Sequence, residues 1–159
     1  MSKRIKVSFN PAKARLQGAA AMAYAAGLFD GEGCVHIARQ KKVQAKRGYV
    51  MRLVVTIAQN HLETLLQFQA MAGIEGRIYM CPRQGSANRD GYALNYDGDA
   101  AAMLLEQLLP FLVRKADEAR VALRFQRECE IHRHFGPLGC PDAVWQKREL
   151  LCEKLRSLK

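Results

Sequence analysis

The stretch that most constrains this chain is residues 25–33, Ala-Ala-Gly-Leu-Phe-Asp-Gly-Glu-Gly, reached through the alanine-rich run 18–26. Alanine is the best helix former, so the run reads as a helix despite Gly18. Met22 and Tyr24 are its only bulky members. A helix with so little side-chain volume can approach another very closely. The Gly-Glu-Gly step relaxes the backbone and reads as the helix stop. Asp30 and Glu32 then fall at the helix C-terminus, where the macrodipole opposes negative charge. A bound cation would give carboxylates a reason to sit there.

The chain has 159 residues, enough for one domain whose core needs no staples. It divides into a basic arm, 1–17, and a single domain, 18–159. No apolar run is long enough to span a bilayer, and the N-terminus lacks the continuous apolar segment of a secretory signal. Five cysteines without close pairing fit a reducing compartment. The net charge is +10, and its distribution matters more than its size. Residues 33–62 hold no acid but carry Arg39, Lys41, Lys42, Lys46, Arg47 and Arg52. Residues 1–29 also lack acids and carry Lys3, Arg4, Lys6, Lys13 and Arg15. Such asymmetry implies one strongly positive face, the footprint of a nucleic-acid binder. General basicity for solubility would scatter these charges, and a membrane surface would need them along an amphipathic helix.

Residues 1–15 read as a loosely docked polar arm. Cys34 to Gln40 reads as a strand, followed by a basic loop over 41–48. Residues 49–58 form the clearest strand: Met51, Leu53, Val55 and Ile57 share one face, and Val50, Arg52, Val54 and Thr56 the other. A helix over 61–72 stops at Gly73. Residues 77–82 and 91–96 read as a second hairpin, with Ile78 and Met80 facing one way and Arg77 and Tyr79 the other. Asp97 or Asp99 suits the cap of a helix over 100–109, ended by Pro110. A long helix over 114–133 and a last one from Asp142 complete the chain. On the last, Val144, Leu151, Leu155 and Leu158 share a side. The order predicts an α+β fold with a largely antiparallel sheet, helices on one face and a polar, basic face opposite.

Residues 25–33 resemble the LAGLIDADG motif of homing endonucleases, with Ala25 for the first Leu and Glu32 for the second Asp. The αββαββα order is that family's architecture, with additional C-terminal helices here. Two further places agree with it: Ala58-Gln59 at a strand end, where the family carries a water-ordering glutamine, and Leu109 to Lys115, where it carries an active-site lysine. A departure is Glu63, where relatives often place a basic residue; His61 is the nearby substitute.

The resemblance implies a site-specific double-strand DNA endonuclease that binds a long, partly palindromic site and leaves short 3′ overhangs. It implies Glu32 as a metal ligand, joined by the Gly31 carbonyl, with Asp30 holding the turn or cap rather than the metal, Gln59 orienting the nucleophile and Lys115 polarising the scissile phosphate or the water. Mg²⁺ is the expected cofactor, with Mn²⁺ as a substitute and Ca²⁺ supporting binding without cleavage. One motif and no internal repeat call for a homodimer joined through Ala23, Ala26 and Gly27 on the motif helix. Contacts to duplex DNA are expected from His36, Ala38, Gln40, Lys42, Arg47, Arg52, Thr56, Arg77, Tyr79, Arg83 and Asn95. Neither a membrane nor a small-molecule substrate is expected. The compartment implied is intracellular, an organelle (chloroplast or mitochondrion) or a prokaryotic cytoplasm. Two alternatives keep the fold: a non-cleaving DNA-binding regulator and an RNA maturase.

Other signals read as structural. Cys129, His132, His134 and Cys140 lack the ligand pairing of a zinc site. Asp97-Gly98-Asp99 lacks the rest of a calcium loop. Trp145 reads as an anchor for the final helix.

Overall fold

A computed structural model describes residues 2–82, 91–129, 131, 135 and 139–159. In chain order the elements are β1 (Lys3–Ile5), α1 (Gly18–Glu32), β2 (Gly33–Lys41), β3 (Tyr49–Gln59), α2 (Leu62–Ala72), β4 (Arg77–Cys81), β5 (Gly91–Asp97), α3 (Gly98–Leu108), α4 (Ala116–Glu128) and α5 (Asp142–Ser157). Short 3₁₀ turns lie at Pro11–Lys13 and Leu109–Phe111. The strands form one open antiparallel sheet in the order β1-β4-β5-β3-β2. The α+β architecture and the antiparallel sheet expected from the sequence are therefore present, with one strand, β1, more than the two expected hairpins supply.

Alternation decides which face is which. Met51, Leu53, Val55 and Ile57 of β3, Val35 and Ile37 of β2, and Ile78 and Leu94 of β4 and β5 are buried beneath the helices. Phe29 of α1, Phe68 of α2, Leu104 and Leu105 of α3, and Phe125 of α4 fill the space against them. Burying a side chain of this size contributes about 1.5–3 kcal/mol, so this layer sets the fold's stability. Tyr96 is also fully buried, and its hydroxyl donates to the Ile74 carbonyl at 3.2 Å. Burial raises the Tyr96 phenol well above its ordinary pKa, so it stays a neutral donor. Gly73 closes α2 in the left-handed conformation, φ 65°, as its position predicts.

Two expectations are corrected and one is met. Residues 3–5 are not a loose arm: they pair with β4, and Ile5 and Val7 pack against the core. Three residues, two adjacent cations and one isoleucine, give too weak a pattern to be read as a strand. The helix α1 ends within the Gly-Glu-Gly step as expected: it runs through Glu32, is capped by Gly33 and passes directly into β2. Gly33 is the hinge, and close approach explains its identity: a Cβ there would lie 2.3 Å from the Phe29 ring. The long helix α4 begins at Ala116 rather than 114, because the amides of Val113, Arg114 and Lys115 are engaged by Asp30, and residues 130 and 132–134 of the expected range lie outside the described residues.

Both outer strands are covered or charged. The α5 helix packs beside β2, with Trp145, Leu151, Cys152 and Leu155 buried, so Trp145 is an anchor as its sequence position suggests. Val144 is partly buried, whereas Leu158 is exposed. Among the described residues no helix is long and apolar enough to cross a membrane.

Candidate active site and nucleic-acid face

The last turn of α1 is where the expected catalytic residues gather. Asp30 is partly buried, and its carboxylate accepts the amides of Val113 (2.8 Å), Arg114 (3.2 Å) and Lys115 (2.9 Å). These amides precede α4, whose N-terminal dipole favours an anion. Burial pushes the Asp30 carboxyl upward, but the hydrogen bonds from Val113, Lys115 and Arg114 outweigh it and hold the pKa below the usual carboxylate value. Asp30 thus caps the amides before α4, which gives it a structural partner without a cation.

The same contact fixes Lys115. It is 4% exposed, and its Nζ donates to the Asp30 carbonyl at 2.7 Å. The Arg114 guanidinium donates to that carbonyl at 3.2 Å. A buried ammonium is costly without such acceptors. Here the α1 C-terminus supplies one, with its negative dipole end. Lys115, expected near the motif from a segment 85 residues away, is held two residues from Glu32.

Glu32 is exposed and has no ion-pair partner among the described residues. It stands at the helix end with the Gly31 carbonyl, one of the final four that a helix leaves unanswered. Carboxylate and carbonyl oxygens are the donors a hard divalent cation takes, so the residues present fit Mg²⁺. Among the described residues no three His, Cys, Asp or Glu side chains cluster as a metal site. One chain therefore offers a sparse ligand set. Gln59 ends β3, and the pairing of Gly33 with Ile57 brings it beside the helix-to-strand junction. Glu63 instead accepts a hydrogen bond from Gln67 at 3.0 Å, and His61 contacts Thr64 at 3.0 Å.

On the open side of the sheet, register places His36, Ala38, Thr56, Arg52, Arg77, Tyr79 and Asn95 on one face: Ala38 opposes Arg52, Thr56 opposes Asn95, and Asn95 opposes Arg77. Gln40 follows on the same side of β2. Asp97, the expected helix cap, makes no side-chain cap bond. Its carboxylate instead accepts from Arg52 at 2.9 Å and from Arg77, tying two arginines from β3 and β4 together. The Nδ1 of His36 and Oδ1 of Asn95 are buried without hydrogen-bond partners among the described residues. Burial lowers the His36 pKa, with nearby Lys159 adding to the effect.

Arg47 is placed differently from the other basic candidates. Its guanidinium lies over the Trp145 ring at 4.7 Å, donates to the Cys140 carbonyl at 3.0 Å and pairs with Asp142. It anchors α5, a role that only the tertiary structure discloses. Lys42 lies exposed in the β2–β3 loop. Arg83 lies outside the described residues, as do His132 and His134.

Along α1, Ala23 and Gly27 are exposed, and a Cβ on Gly27 would meet nothing within 4 Å. Ala26 is a correction: it is fully buried in the chain's own core. Small residues surround this helix, so composition carries no mark of which side faces inward. Tyr24, 52% exposed, completes the outer face instead.

A covered antiparallel sheet with a basic open face, fed by a helix that ends in two acidic residues beside a buried lysine, defines the class as an α+β protein with an open sheet. The chain belongs to the LAGLIDADG endonuclease family, whose model matches residues 25–131. In fold it is similar to the homing endonuclease I-CvuI, crystallised with its target in the presence of Ca (23% identity, TM-score 0.68, covering 87% of this chain and 81% of that one). It is similarly close to the archaeal intron-encoded homing endonuclease I-Vdi141I complexed with DNA (17% identity, TM-score 0.68, covering 87% and 83%). A comparison with curated proteins gives no match.

Proposed function

We propose that this chain is a homodimeric, divalent-metal-dependent endonuclease that cuts both strands of a long, partly palindromic DNA site. The observation that carries the reading is the buried Lys115 held against the end of the motif helix, beside Glu32, which is exposed and has no ion-pair partner among the described residues. Glu32 and the Gly31 carbonyl hold Mg²⁺, which when bound supplies charge neutralisation at the phosphate and a more acidic water. Lys115 stabilises charge that develops on the scissile phosphate, and its fixed position means little reorganisation is needed. Gln59 orients the attacking water. The sparse ligand set of one chain is completed by a second copy, docked through the exposed Ala23, Tyr24 and Gly27 of α1. Two open sheet faces then lie along the major groove in a symmetric arrangement and read base edges in two half-sites.

The test is selection from a random duplex library in Ca²⁺, followed by transfer of the bound pool to Mg²⁺. Enrichment of a long, partly palindromic sequence that is then cut, with short 3′ overhangs, is the expected result. Glu32→Gln is expected to bind that sequence and leave it intact; equal cutting removes Glu32 from the mechanism. A sequence that is enriched but survives Mg²⁺ and Mn²⁺ points to a binding protein, the reading to which Glu63 lends weight. Enrichment of RNA over duplex DNA replaces both.

A further inference from the structure

The strand β1 is short, lies at the sheet edge beyond β4 and carries charge on both sides. Its register is fixed: Lys3 opposes Met80, Arg4 opposes Tyr79 and Ile5 opposes Ile78. Ile78 is buried in the core and Ile5 packs with it, so Arg4 stands with Tyr79 on the open face. The residue two places before Arg4 agrees, since the Ser2 hydroxyl lies 3.6 Å from Cys81 Sγ, the neighbour of Tyr79 on that face. The open face is therefore five strands wide. Arg4 also differs from the arginines beside it. Arg52 and Arg77 share the Asp97 carboxylate, whereas Arg4 is exposed and pairs with no acid among the described residues. An unpaired guanidinium beside a phenol, at the rim of a basic face, is suited to a phosphate oxygen rather than to a base at the groove floor.

We propose that β1 is a fifth DNA-contacting strand, with Arg4 neutralising a backbone phosphate at the flank of the surface that β2–β5 present. The proposal rests on the duplex-binding reading above. A competing role for Arg4 is edge protection, because charge on an edge strand discourages pairing with another sheet. Charge reversal separates the two: Arg4→Glu keeps an edge charge but repels phosphate.

Binding of a random-sequence duplex is measured against salt concentration for the full chain, for Arg4→Glu and for Arg4→Ala. Lys13→Glu is the control; it makes the same change in net charge as Arg4→Glu, on the 3₁₀ turn that packs against α2. Losing one phosphate contact lowers the slope of log K against log salt by about 1 per protomer. That drop is expected for both Arg4 variants and not for Lys13→Glu, with all proteins equally soluble. Slopes and affinities for the Arg4 variants that match the Lys13→Glu control overturn the proposal and leave edge protection. A wild-type protein that binds no duplex even at low salt overturns both this proposal and the endonuclease reading, so the two failures are distinct.

Discussion

The junction of α1 with α4 and the open face of the sheet are built on different principles. At the junction, main-chain groups do the specifying. Three consecutive amides hold Asp30, one carbonyl holds Lys115, and the absence of a Cβ at Gly33 lets the helix turn into β2 against Phe29. On the open face, side chains do it. Arg52 and Arg77 are oriented by Asp97, while Arg4, Lys42 and Gln40 are exposed. Geometry fixed by backbone leaves chemistry constant, and a face fixed by side chains leaves the DNA sequence that is read free to change. The difference teaches where substitution alters rate and where it alters target choice.

The largest effect that tests this division is on Lys115. Lys115→Met keeps the volume and removes the ammonium, and cutting is expected to fall by about 10²–10³-fold with DNA affinity nearly unchanged. Single-turnover cleavage with a parallel binding titration measures both. A variant that binds weakly but cuts at the normal rate breaks the comparison.

Asp30→Ala comes next. It leaves the amides before α4 without their acceptor and is expected to cost about 1–2 kcal/mol of stability. The folded-state pKa of Asp30 is depressed, so its contribution is complete above the ordinary carboxylate value and disappears as pH falls through the folded value. Urea unfolding at several pH values is expected to show wild type and variant converging in acid. A gap that stays constant, or widens toward acid, removes the carboxylate from the explanation.

The smallest effect belongs to the open face. Asp97→Asn releases Arg52 and Arg77, and binding to random duplex is expected to tighten while discrimination for the selected target falls by about 1 kcal/mol. Competition binding reads this ratio. Reduced cutting at an unchanged ratio would place Asp97 with the junction instead.

Much of this was legible in the sequence, and the remainder has physical causes. The alternation over 49–58 fixed the faces of β3, and the motif with Gln59 and Lys115 marked the junction. Asp30 and Asp97 were harder to read because a carboxylate's partner is chosen by tertiary structure: Asp30 answers amides some 85 residues away, and Asp97 serves arginines rather than its own helix. Arg47 belongs to the same class, since Trp145 lies nearly a hundred residues beyond it. The facing of Ala26 had no signal in a helix made of small residues. The pairing of β1 had none either, because three residues at an edge are recruited by β4 more than by their own pattern.

The separation between Asp30 and Lys115 has a consequence for the growing chain. Closing a loop that long carries an entropic cost, which the intervening sheet and helices reduce by bringing its ends together. A ribosome-bound chain that has released α1 and every strand still lacks Lys115 at the motif, because α4 follows them all. Incomplete products therefore carry a DNA-facing sheet without an assembled centre. Chain order alone brings Lys115 to the motif only after all five strands have been made.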